Sequence, residues 1–119
     1  MNTDNRRSDT NSEAFACDMT AIAPDKRNGH KATTEKLFRA VQEIRELTNG
    51  YCFRLPNESG ILVTAAEFIT LEQLCCPFFR FSVQVEPKEA VWLSLTGPQG
   101  VKPFIIAEIS EHLPVRIQR

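Results

Sequence analysis

The dipeptide Asn49-Gly50 constrains this chain more than any other two residues. It stands between Ile44 and Leu47 on one side and the alternating row Tyr51, Phe53 and Leu55 on the other. Asn-Gly is the strongest two-residue hairpin signal, because a type I′ turn needs positive φ at both central positions and these residues tolerate it best. An antiparallel pair is therefore expected around it, and with the pair a sheet that must bury at least one face.

The segments on either side change period. Leu37, Phe38, Val41 and Ile44 recur at three- and four-residue spacing, which predicts a helix from about residue 24 to about residue 42. Pro24 suits its first turn and Asp25 complements its dipole, while Gly29 weakens its early turns. Beyond the hairpin, Pro56, Asn57, Ser59 and Gly60 mark a loop. Ile61, Ala65, Phe68, Ile69 and Leu71 then fit a second helix, which Pro77 ends.

"FFRFSVQVEPKEAVWLSLTG" reads as a second hairpin. Phe79, Phe81, Val83 and Val85 face one way, and Val91, Leu93 and Leu95 answer them across a turn at "EPKE". "GPQGVKPFIIAEISEHL" gives a third helix, with Pro103 tolerated in its first turn. The short apolar stretch from Phe15 to Ile22 is expected to be extended. The order is α-β-β-α-β-β-α, and the simplest way to bury it is an α+β fold, one antiparallel sheet with helices mainly on one face.

At 119 residues the chain has enough material for one core and not for two. Residues 1–13, "MNTDNRRSDTNSE", are polar and lack apolar periodicity, so they are expected to be a disordered tail ahead of a single α+β domain over residues 14–119. Lys and Arg number 14 against 15 Asp and Glu, leaving no basic surplus to neutralise phosphates, which argues against a nucleic-acid partner. The tail has no apolar core of a signal peptide, and no run of about 18 apolar residues predicts a membrane span. A cytoplasmic location follows as the expectation, and there the four cysteines are thiols or ligands rather than staples.

On the sheet face turned away from the helices the pattern puts Cys52, Arg54, Phe78, Arg80 and Trp92. Two large aromatics on such a face mark a homodimer contact or a ligand surface, or else a place that a loop or the N-terminal stretch covers.

The chemistry concentrates in "LEQLCCPFF". Residues three and four apart share a helix face, so Glu72 points the same way as Cys75 and Cys76 at the end of the second helix. Two thiols and a carboxylate are deprotonatable ligands for zinc, copper(I) or another soft or transition-metal ion. The partial negative charge of a helix C-terminus disfavours free thiolates and welcomes a cation, which favours a metal ligand over a nucleophile. Two sulfurs leave a tetrahedral shell incomplete, and Cys17 and His30, flanking the start of the first helix, are the further candidates. Cys52 and His112 read as incidental. Local spacing sets no Ser or His beside the thiols, so no catalytic dyad is evident. Buried cysteines also serve as small hydrophobes, and that reading stands beside the metal one.

The segments "LEQLCCPFFRF" and "VWLSLTGPQGVKPFI" resemble a group of small bacterial proteins carrying E-x-x-C-C-P-F-x-x-F, a hydrophobic strand and T-G-P-x-G. Similar segments are appended to some regulators of the mercury-resistance type. "CDMTAIAPDKRNGH" and "NGYCFRLP" resemble the same group's C-x-x-x-A-x-x-P-x-x-R-x-x-H and G-Y-x-F-R-L-P stretches. On that resemblance Cys17, His30, Glu72, Cys75 and Cys76 fall on motif positions and Cys52 does not. Three readings follow: a metal-binding protein, a thiol redox protein or enzyme using Cys75 or Cys76, and a non-enzymatic dimeric module presenting Phe78 and Trp92.

Overall fold

A computed structural model describes residues 15–114; the expected polar tail lies outside them. Three helices, α1 (Pro24–Arg39), α2 (Ile61–Cys75) and α3 (Val101–Ile109), alternate with the hairpins β1 (Glu43–Leu47)/β2 (Gly50–Pro56) and β3 (Arg80–Glu86)/β4 (Ala90–Thr96). The four strands form one antiparallel sheet in the order β1-β2-β4-β3, so the two hairpins join through their second strands. The expected α-β-β-α-β-β-α order and α+β class are what the chain adopts. α1 ends at Arg39, about three residues earlier than its periodicity predicts, because Ala40 already caps it through bonds to the carbonyls of Leu37 and Phe38.

The stretch before α1 is extended only in part: Asp18 and Ile22 have extended backbone, but a turn lies between them. Asp18 accepts from the Thr20 amide at 3.0 Å and opens a short 3-10 turn over Met19–Ala21. Ile22 follows fully buried and anchors the segment, and Arg27 donates to its carbonyl.

The first hairpin forms where Asn49-Gly50 predicts one, but with a different turn. Leu47 pairs with Gly50, so the loop residues are Thr48 and Asn49, and neither Asn49 nor Gly50 has positive φ. Glycine is required at 50 for another reason. A Cβ there would sit 1.9 Å from the Leu95 carbonyl oxygen, where β4 passes. The second turn does use the left-handed region. The Glu89 amide bonds the Glu86 carbonyl at 2.9 Å, with Pro87 first in the turn and Lys88 second at φ 69°. That is a type II turn, and it holds a lysine where glycine is preferred.

The register places Tyr51, Phe53, Leu55, Val91, Leu93 and Leu95 on the helix-covered face, all buried. Phe38, Phe53 and Phe68 meet edge-to-face at the centre, with ring centroids 5.2 and 5.3 Å apart. β3 shares that face but lies at the sheet's edge, and its Val83 and Val85 are exposed.

On the opposite face Trp92 does not share its surroundings with Phe78. The Arg45 guanidinium roofs the Trp92 ring at 4.2 Å, Glu86 accepts from its indole N–H, and only 9% of the residue is exposed. Phe78 packs instead with Phe15, Phe79 and Phe104, beside α3. The expected pair of aromatics on one open face is thus divided: the N-terminal segment covers Phe78, and arginine covers Trp92. Among the described residues no helix is long and apolar enough to cross a membrane.

Candidate metal centre

Two local features build the cluster. Pro77 excludes Cys76 from the helical region, so α2 stops at Cys75 and Cys76 becomes its cap at φ −128°, ψ 69°. The Cys76 amide still donates to the Glu72 carbonyl at 2.8 Å, which holds Cys76 one turn above Glu72. The segment ahead of α1 then docks on this end: the Asp18 amide donates to the Cys75 carbonyl at 2.8 Å. That one backbone bond brings Cys17 beside Cys76 across a sequence separation of 59, with Cα atoms 4.7 Å apart.

Cys17, Glu72, Cys75 and Cys76 each offer a ligand atom, and these atoms all lie within 4.8 Å of one another. The Cys75 sulfur is 3.5 Å from that of Cys76 and 3.7 Å from Glu72 Oε1, and the Cys76 sulfur is 3.4 Å from Glu72 Oε2. A tetrahedral zinc shell with bonds near 2.3 Å puts its ligand atoms about 3.8 Å apart, so these separations need only small adjustment. Cys17 and Cys76 are closer still, at disulfide distance, although both were expected as thiols. Cys75 and Cys76 are buried; Cys17 and Glu72 are half-buried and form the cluster's outer side.

His30 is not among the sulfurs. It faces Glu72 from α1, its Nε2 donating to Oε1 at 2.8 Å while its ring stacks on Phe68. The other ring nitrogen, Nδ1, is buried without a hydrogen-bond partner. Thr34 donates to the His30 carbonyl and steadies this turn of α1. Glu72 is therefore held by His30 through one oxygen and presents the other to Cys76. His30, expected among the ligands, thus fixes the orientation of the Glu72 carboxylate from behind and lies outside the group of converging ligand atoms.

The electrostatics of the cluster are one-sided. Burial, then the Glu72 charge and its hydrogen bond, push the Cys75 thiol up to about 12. A cleft of about 660 Å³ between α1 and the C-terminal helix opens onto this end, lined by His30, Lys31, Glu72, Glu108, Glu111 and His112 among others. Burial, followed by the charges of Glu72 and Glu111, raises the Glu108 carboxyl as well. Sequence reasoning passed over Glu108 and Glu111, since nothing in a helix pattern says that α3 ends beside Glu72. Cys52, expected to be incidental, lies mid-strand on the far face with Arg45 and Trp92, away from the cluster.

The fold and site together define a small α+β protein with a partly buried cysteine–carboxylate cluster. Comparison with known protein families, curated proteins and solved structures gives no match to the chain.

Proposed function

We propose that this protein binds a zinc-like or softer metal ion through Cys17, Cys75, Cys76 and Glu72, with His30 orienting the Glu72 carboxylate. The observation that carries this reading is the convergence of three sulfurs and one carboxylate within 4.8 Å, drawn from two segments far apart in sequence. Three thiolates beside a carboxylate would be mutually repulsive in a buried site, and a bound cation removes that repulsion. The resemblance described above supports the same residues, since all five fall on its motif positions. Sensing, storage and structural stabilisation all fit such a site.

Metal content of protein purified under reducing conditions without chelator tests the reading directly. The expected result is about one ion per chain, lost in Cys75→Ser and Cys76→Ser variants that retain the native circular-dichroism spectrum. Wild-type protein that takes up neither zinc nor copper(I) would refute it.

A thiol–disulfide enzyme is the second reading, favoured by the pairing of Cys17 with Cys76. It needs a ready thiolate, and the one free thiol of the cluster, Cys75, is pushed up to about 12, away from nucleophilic character at neutral pH. Reactivity of Cys75 towards an alkylating probe as a function of pH separates the two; fast alkylation at neutral pH would favour the enzyme.

A further inference from the structure

Two features of the cluster are incompatible at one moment. Cys17 and Cys76 sit at disulfide distance, and a sulfur bonded to another sulfur has no thiolate to give a metal. Yet both belong to the four-ligand group. We infer that the disulfide and the metal are alternative occupants of one site, so that oxidation of Cys17 and Cys76 expels the ion and reduction restores it. This inference rests on the metal-binding reading above.

The geometry suits the exchange at several points. The Asp18–Cys75 backbone bond does not involve either sulfur, so it holds Cys17 against Cys76 in both states. The Cα separation of 4.7 Å lies inside the range that disulfides use, and a metal shell asks the two sulfurs to part to roughly 3.8 Å. Cys17 is half-buried and reachable from solvent, whereas Cys76 is fully buried. Oxidant therefore meets Cys17 first, and Cys76 is the neighbour placed to resolve it. Cys75 and Glu72 remain after the bond forms, which leaves two ligands of four and too few to hold the ion.

With hydrogen peroxide as oxidant the step balances. The Cys17 thiolate attacks one peroxide oxygen, the O–O bond breaks, and Cys17 sulfenic acid and one water form after proton uptake. The Cys76 thiolate then attacks the Cys17 sulfur, the S–O bond breaks, and the oxygen leaves as a second water after taking another proton. Two thiolates lose two electrons, one hydrogen peroxide gains them, two protons are consumed and the metal ion is released. A dithiol reverses the change, becoming a cyclic disulfide itself.

The experiment compares zinc affinity of the full-length protein in three states: reduced, oxidised by stoichiometric hydrogen peroxide, and re-reduced with a dithiol. A chromophoric chelator reads the affinity, and peptide mass mapping identifies the linked cysteines. The inference expects a Cys17–Cys76 link and an affinity lower by on the order of 100-fold or more in the oxidised state, with two of four ligands gone, and full recovery on re-reduction. A C52S variant should behave identically, since Cys52 lies on the other sheet face. A mapped Cys17–Cys76 bond with zinc affinity unchanged would overturn the inference and leave the metal-binding reading intact. So would oxidation that links other cysteines. Reduced protein that binds no zinc would overturn both.

Discussion

Glu72 is the residue on which the site turns. One oxygen accepts a hydrogen bond from His30 Nε2 at 2.8 Å and the other lies 3.4 Å from the Cys76 sulfur, so a single carboxylate joins two helices and the cap of α2. Cys75, one turn on, is buried next to that charge. Its thiol, pushed up to about 12, carries a proton throughout the neutral range, and a metal ion taken up through this sulfur would have to displace it. On the proposed reading, metal affinity of the reduced protein is expected to rise with pH, by about tenfold or more per unit near neutrality, because the thiol ligands must lose their protons. Chelator competition between pH 6 and 8 measures this, and an affinity independent of pH would exclude Cys75 thiolate as a ligand. The same shift bears on folding. In the metal-free protein the unfolded Cys75 ionises near 9.0 and the folded one near 12, so stability is unaffected by this group below about pH 9 and declines as pH rises from there towards 12.

At the scale of elements, most of the order was readable because each boundary has a local cause. Pro77 stops α2, and alternating apolar residues set both hairpins. What was not readable depended on approach between distant segments. Gly50 lies in the first hairpin as its sequence suggests, yet its glycine answers to β4 rather than to a left-handed turn. Gly50→Ala should therefore destabilise the fold by about 1–3 kcal/mol, the usual cost of forcing atoms into a packed site, and not by the few tenths typical of an exposed turn. Chemical denaturation decides between these. Phe78 is a similar case: pattern assigned it to the open face, but it precedes β3 and turns towards Phe15 and Phe104. Glu72, Cys75 and Cys76 were legible as a group because α2 alone sets their spacing. The distance from Cys17 to Cys76 and the His30–Glu72 contact were not, since they span 59 and 42 residues. Only the packing of α1 and its leading segment against α2 creates them.

For the whole molecule, the cluster is also a clasp. It ties the segment ahead of α1 to the end of α2, on the far side of the first hairpin in sequence. In its disulfide form a loop of about 60 residues is closed, which by chain entropy stabilises the fold by up to about 4 kcal/mol. The oxidised protein should accordingly unfold at higher denaturant concentration than the reduced, metal-free protein, and zinc should restore stability to the reduced form in proportion to its concentration over Kd. Equal midpoints for the oxidised and reduced metal-free forms would mean that this end of the molecule contributes little to holding the fold. The most direct measurement is X-ray absorption at the zinc edge on the reduced, zinc-loaded protein. The expected result is three sulfur neighbours at about 2.3 Å and one oxygen at about 2.0–2.2 Å. A shell of nitrogen and oxygen alone would contradict the assignment of Cys17, Cys75 and Cys76 as the ligands.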